Sequence, residues 1–390
     1  MDTSEEVYRG REQTRVKHLI LEKYLEAFAR IVGFRWDTIT YVDCFSGPWN
    51  IQSNDCRDAS FAIALNELRK ARGWLRQKGR ELTIRCFFIE KDHDAYSQLA
   101  NFCSDVADAE IAHRNLELEE AIPEILRFVS AGGNGNFPFF FLDPNGWTGF
   151  AMDVISPLLQ KRPAEVLVNF MTGHIRRFID APQIQTKESF RRLFGKDSFR
   201  DVLAGLERSE RDDAVVAEYA HQVRDVGGFQ YVCPAIILNP TKDSTHFHLL
   251  YATRNAKGVE VFKDVEKTTM PVMERLRGEA HCRKRVRKTG QSELALGDAL
   301  HDHTHYENLR ARYLHQIRVE LERRLHSGSS FPYDEAWDLM AEKPLVWEGD
   351  LKSWIAENNS KGVLRIEGLR DNERVPKRGC GHSLVLGGHN

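Results

Sequence analysis

Three carboxylates each stand at the end of an apolar run. Asp43 follows Ile39, Tyr41 and Val42; Glu90 follows Ile84, Phe87, Phe88 and Ile89; Asp143 follows Phe139, Phe140, Phe141 and Leu142. An acid just past a buried parallel strand lies at the sheet's carboxyl edge, where open α/β folds form their ligand crevice. After Asp43 the chain turns through Cys44-Phe45-Ser46-Gly47-Pro48, where a glycine lets backbone come close to a ligand, and the combination suggests a nucleoside-bearing cofactor. Glu90, at the tip of the second strand, is placed to grip ribose hydroxyls. An Asp43 that caps a helix and a Glu90 in a surface Glu-Lys-Asp turn are the plainer alternatives. In Asp143-Pro144-Asn145-Gly146-Trp147 the proline fixes its own φ and pushes Asp143 into an extended conformation. Rigid acceptors beside an aromatic plate can hold a flat amine for attack on an electrophilic methyl group. A tight turn with Trp147 in the core is the competing reading.

The surrounding pattern supplies the elements that would position these groups. Helical spacing over residues 15–32, with Lys17 and His18 near its start, precedes the first strand, and such a helix can close over a cofactor site. Further strands are expected at 83–89, 111–115, 137–142, 165–171, 235–239 and 247–253, with helices at 58–70, 94–102, 118–129, 152–160 and 258–267. Seven strands separated mostly by helices make a doubly wound α/β sheet the economical architecture. A mostly helical, charged insert (about 176–228, with Arg176, Arg177, Arg191 and Arg192) suits a substrate-facing cap or a solvated hairpin.

Beyond 275 the composition shifts. Arg283, Lys284 and Arg285 belong to a dense basic run that suits nucleic acid or a solvated linker. Three helical patterns (309–325, 333–340, 351–358) are then followed by two short strands (363–366 and 383–386) around a turn with Arg374, Lys377 and Arg378. Three helices with a basic two-stranded wing is a winged-helix pattern, able to contact nucleic acid or to dock a protein. No metal site is expected, because the histidines of 301–305 alternate without a distant partner and the seven cysteines form no CxxC pair. The 390 residues carry a formal net charge of −2, no run long and apolar enough for a bilayer, and no signal-peptide core at 1–15, so a cytoplasmic protein off the membrane is expected.

With those residues assembled, the chain resembles the three-Cys-motif partner (TcmP) family. The matching pieces are Lys17-His18 with Leu21-Glu22-Lys23-Tyr24-Leu25, Asp43-Cys44-Phe45-Ser46-Gly47-Pro48, Phe88-Ile89-Glu90, Phe141-Leu142-Asp143-Pro144-Asn145-Gly146-Trp147 and Asn169-Phe170-Met171, followed by Tyr251-Ala252-Thr253-Arg254-Asn255 with Gly258. The family is similar to class I S-adenosylmethionine-dependent methyltransferases and is named for a radical-SAM-like partner protein with a cysteine motif. The resemblance implies a Rossmann-like seven-stranded methyltransferase domain over 1–275, a basic linker over 276–305 and a winged-helix-like domain over 306–390. It implies S-adenosylmethionine held by Asp43, Phe45, Ser46, Gly47, Pro48, Glu90, Asn115, Lys17 and His18. It makes Asp143, Pro144 and Trp147 the counterpart of the Asp-Pro-Pro-aromatic corner of amino-methylating enzymes. Trp49 stands where the loop has its second glycine, and Asn145 stands where those enzymes have proline.

The expected function is therefore methylation of an amino or ring nitrogen of a nucleic-acid base, in RNA or DNA. Asp143 would accept from the target amine and Trp147 would stack on the base. A catalytically inactive nucleic-acid-binding adaptor, supported by Trp49, is the alternative; methylation of a small molecule or of the partner protein is the third.

Overall fold

The computed structural model describes residues 6–48, 51–53, 55–196, 200–201, 203, 205–289, 301–328 and 330–387. Trp49 lies outside the described residues. The chain divides into two compact units, Met1–His301 and Asp302–Asn390.

The first unit is built on β1 (Thr38–Asp43), β2 (Thr83–Ile89), β3 (Glu110–Arg114), β4 (Asn136–Leu142), β5 (Glu165–Phe170), β6 (Tyr231–Leu238) and β7 (Thr245–Thr253). They form one sheet in the order β3-β2-β1-β4-β5-β7-β6. Neighbours from β3 to β5 are parallel, and β7 runs antiparallel to both β5 and β6. This is the Rossmann-like, methyltransferase-like α/β fold expected. Side chains alternate across it with a period of two. Phe140 and Leu142 pack into the core beneath helices Leu118–Ala131, Met152–Leu159 and Arg208–Gly227. Phe139 faces the other way, stacking on Tyr41 at 6.1 Å and meeting Tyr24 and Phe28 of helix Glu12–Val32. Helices Ser60–Gln77 and Ala256–Thr289 pack against Glu12–Val32 on that face. With β1 between β2 and β4, residues Ile39–Asp43 are wholly buried, which is why that strand reads as a nearly unbroken apolar run.

Two expectations need correcting. The strand expected at 235–239 begins earlier, at Tyr231, and contains Pro234. As the sheet's outermost strand, paired only to β7, β6 tolerates a residue that cannot donate to a ladder. Residues 276–289, expected as the start of a linker, are the end of the 34-residue helix Ala256–Thr289. Leu276 and Ala280 bury at a four-residue spacing, so the apolar stripe of that helix runs on through the basic stretch.

The second unit comprises helices Thr304–Ser327, Tyr333–Ala341 and Glu348–Ser360 and a three-stranded antiparallel sheet. Its strands are β8 (Phe331–Pro332), β9 (Leu364–Glu367) and β10 (Ser383–Leu386), with β10 in the middle. Tyr333, Trp337, Leu351, Ile355 and Leu384 form its interior.

Candidate active site at the carboxyl edge of the sheet

Asp43 ends β1 with its side chain fully buried. Its carboxylate accepts from the Ser60 hydroxyl (2.6 Å), the Phe45 amide (3.2 Å) and, more distantly, the Tyr41 hydroxyl (3.3 Å). Burial pushes this carboxyl up to about 6, against the opposing pull of the Ser60 and Phe45 hydrogen bonds. Ser46 fixes the other side of the loop. Its amide donates to the Ile89 carbonyl (2.7 Å), its hydroxyl donates to the Asp43 carbonyl (2.8 Å), and it accepts from the Ile89 amide (3.2 Å). The loop from Cys44 to Pro48 is thereby clamped between the tips of β1 and β2.

Asp143 has the opposite surroundings. The Lys17 ammonium, from the helix that precedes β1, forms an ion pair with one carboxylate oxygen, and Asn169 Nδ2 donates to the other at 2.6 Å. Asn169 lies on β5, so three elements converge on one carboxylate. Asn169 itself is 3% exposed, and its Oδ1 is buried without a partner among the described residues. A buried acceptor left unpaired costs about 1–3 kcal/mol, so its persistence asks for an explanation. In the turn that follows, Gly146 takes φ +118°, a conformation other residues rarely adopt.

A cavity of about 420 Å³ opens between these parts. Its walls include Lys17 and His18, Phe45 and Gly47, Asp143, Pro144 and Asn145, and Asn169 with Met171. The first cofactor stretch, the Asp-Pro corner and the leading helix are thus brought together at the sheet edge where ligands of open α/β folds bind. His18 is buried against Tyr8, whose hydroxyl lies 3.0 Å from Nδ1. Burial, with Lys17 and Arg11 close by, holds His18 well below the usual imidazole range, and burial raises the Tyr8 phenol to about 12.

Other expected site residues lie elsewhere. Glu90 is buried at the β2 tip, where its Oε1 accepts from the Asp92 amide (2.7 Å). Burial raises its carboxyl despite that bond. Asn115 stands beside it, donating to the carbonyls of Glu90 (2.8 Å) and Lys91 (3.0 Å). The two form a pair of their own and do not line the cavity. Nor does Trp147. Its ring stacks on Phe190 (5.2 Å, 16°), meets Phe178 (4.9 Å) and donates through Nε1 to Ser189 (3.0 Å). The indole is half-buried and packs between two insert aromatics, the arrangement of the plainer reading.

The basic residues divide in the same way. Arg283 pairs with Glu12, and Lys284 donates to the Thr241 carbonyl (3.2 Å); Arg285 lies on the same helix. In the second unit Arg378 pairs with Asp338 (3.2 Å) over the Trp337 ring, Lys377 pairs with Glu373 (3.2 Å), and Arg374 is exposed.

Several groups at the cavity had no sequence signal. Arg11 reaches Asp58 at 2.5 Å, and Asp58 also accepts from the Gln52 amide (3.0 Å) and from Ser53. Burial would raise the Asp58 carboxyl, but the bonds from Ser53, Gln52 and Arg11 hold it below its ordinary value. His174 and His246 also line the wall, and burial lowers both imidazoles. A lone histidine after Thr-Gly or Thr carries no motif, and only the fold puts the two on one wall.

No family model matches the sequence, and no curated protein matches it. Among solved structures the chain is similar to a protein of Legionella pneumophila str. Philadelphia 1, with 9% identity over 60% of this chain and 84% of that one, at a TM-score of 0.34. It is also similar to a loganic acid methyltransferase solved with SAH, with 7% identity over 74% and 92% of the two chains, at a TM-score of 0.31. Overlaps at that level say nothing about substrate. Among the described residues no helix is long and apolar enough to cross a membrane.

Proposed function

We propose that the first unit is an S-adenosylmethionine-dependent methyltransferase acting on an amino or ring nitrogen of a nucleic-acid base. The observation that carries this reading is the single cavity shared by Phe45 and Gly47 of the glycine loop, the Asp143-Pro144-Asn145 corner and Asn169. The lining charges suit the amino-acid end of the cofactor: Lys17, paired with Asp143, and Arg11, paired with Asp58, keep further N–H donors for its carboxylate, and Asp143 keeps a free lone pair for its ammonium group. Glu90 and Asn115, paired at the β2 tip beside the glycine loop, are the proposed ribose contacts. Asp43 serves the site indirectly, by holding the loop. When bound, the cofactor supplies a methyl group on a sulfonium that departs as a neutral thioether.

The chain's own part is to hold the acceptor nitrogen. The unpaired Asn169 Oδ1 takes an N–H of the target, and a free lone pair on Asp143 takes a second. Both acceptors are fixed before the substrate arrives, Asp143 by Lys17 and Asn169 by Asp143, so orientation carries most of the rate enhancement and no strong base is needed. The proton displaced from the methylated nitrogen has neutral imidazoles close by in His174 and His246.

The ordered motifs support placing the chain in the TcmP family beside a radical-SAM-like partner. The helices and small sheet of the second unit support a winged-helix domain that delivers nucleic acid. Seven free cysteines suit a reducing cytoplasm. The test is calorimetric titration of the full chain with S-adenosylmethionine and S-adenosylhomocysteine, followed by transfer of labelled methyl groups to RNA and DNA pools. Dissociation constants on the order of 10 µM are expected, with labelled nucleic acid lost in Asn169→Ala. A chain that binds neither ligand overturns the enzyme reading and leaves the adaptor.

A further inference from the structure

A second cleft adjoins the candidate active site, and nothing in the proposed chemistry requires its charge. It has a volume of about 1020 Å³ and lies among the segment from Glu6 to Gln13, the Asn239-Pro240-Thr241 turn after β6 and the late turns of helix Ala256–Thr289. Among the described residues five cations line it, Arg9, Arg57, Arg283, Lys284 and Arg287, against the two carboxylates of Glu6 and Glu12. Glu12 is already neutralised by Arg283. Arg9, Arg57 and Arg287 are exposed, and Arg57 has only a 3.8 Å approach to Asp55. Its floor is built in advance. Arg277, 1% exposed, donates to the Asn239 carbonyl (3.1 Å) and Asp243 (3.0 Å) while pairing with Glu274 (2.8 Å), which fixes the turn.

This cleft and the active-site cavity share Gly10, Gln13 and His246 as lining residues, so the two spaces adjoin along those residues. We infer that the cleft is the track for the phosphodiester backbone of a single-stranded nucleic acid, which passes one base at a time over His246 into the cavity. The inference rests on the base-methylation reading and adds the strand's path and state. Exposed guanidinium groups along a trough suit successive phosphates, which lie along one side of a strand. The cavity behind is walled by Phe45, Pro144, Met171 and Phe247, so a base can enter only unstacked. A single strand offers unstacked bases without the cost of opening a duplex.

The experiment compares the wild-type chain with Arg9→Ser/Arg57→Ser/Arg287→Ser in anisotropy titrations of a labelled 20-nucleotide single strand over a range of salt. All three side chains are exposed, so the variant is expected to melt like the wild type. Loss of three phosphate contacts is expected to reduce the slope of log K against log salt by about 2. Affinity at low salt is expected to fall about 10- to 30-fold, with S-adenosylhomocysteine binding unchanged. Wild-type affinity and slope in the variant overturn the proposal. So does equally tight binding of a blunt duplex, or displacement of the strand by polyaspartate of equal charge, which would mark the cleft as a seat for an acidic protein. If the strand binds through the cleft but no methyl group moves, the enzyme reading fails and the track stands. If methyl groups reach a small-molecule acceptor while no strand binds, the track fails alone.

Discussion

Asp43 and Asp143 end adjacent strands of one sheet, yet the fold treats them in opposite ways. Asp43 is sealed inside, held by hydroxyl and amide donors, and burial lifts its carboxyl to about 6. Asp143 borders the cavity with a lysine on one oxygen and an amide on the other. The first is a fastening for a loop. The second is a carboxylate paired and oriented at a surface where a ligand can reach it. Buried acids and paired acids look alike as letters after an apolar run, and only their neighbours separate structural from chemical use.

The contrast breaks most visibly at Asp143. In Asp143→Ala the Lys17 side chain, 11% exposed, is left without its partner, and Asn169 Nδ2 keeps only the weak Met171 sulfur acceptor. Removing one member of a largely buried pair is expected to cost about 3 kcal/mol in denaturant unfolding. Methyl transfer is expected to fall about 100- to 1000-fold, through lost orientation. Lys17→Met/Asp143→Leu removes both charges and should recover most of the stability and none of the rate. Recovery of rate would show that the pair only holds the fold.

Asp43 should respond to pH and not to substrate. A carboxyl raised in the folded state stabilises it fully below the unfolded value near pH 4, and that contribution is lost as pH rises through about 6. The two-unit shift corresponds to about 3 kcal/mol. Asp43→Asn should therefore flatten the stability profile of the first unit between about pH 4 and 6, and unfold later than the wild type at neutral pH. A wild-type slope in the variant would assign the pH dependence to another group.

The sheet was legible because its signals are local. Apolar runs of strand length, each ended by an acid or a turn, report their own burial, and all seven strands were expected, six of them with small errors at the ends. Pro234 hid the first half of β6, since proline argues against a strand until the strand is known to be an edge. Pro271 hid the length of helix Ala256–Thr289, because an internal proline reads as a stop. The site was legible only in part. Gly47, Asp143 and Pro144 announce themselves by type, whereas the ion pair from Lys17 crosses 126 positions and depends on how one helix lies over the sheet. Trp147, expected as a plate for a base from its place after Asp-Pro, packs on Phe178 and Phe190, insert aromatics that no local spacing ties to it.

Trp147 gives the next contrast. Trp147→Ala removes an indole packed against two rings and is expected to cost about 2–3 kcal/mol, leaving S-adenosylhomocysteine affinity and the substrate KM unchanged. A raised KM with unchanged stability would restore the base-stacking role.

The smallest effect separates the two basic regions. In the second unit Lys377 and Arg378 are already engaged by Glu373 and Asp338, whereas the cleft of the first unit presents Arg9 and Arg287 to solvent. A cation engaged by a carboxylate of its own fold must give up that partner to gain a phosphate, so its net contribution to strand binding is small. Arg374→Ala/Lys377→Ala is expected to change single-strand affinity by less than about twofold and to leave the salt slope intact. A drop as large as that of the cleft variant would mean that the second unit surrenders its internal pairs on binding. The strand would then be held at two places, and the winged-helix reading would gain its first direct support.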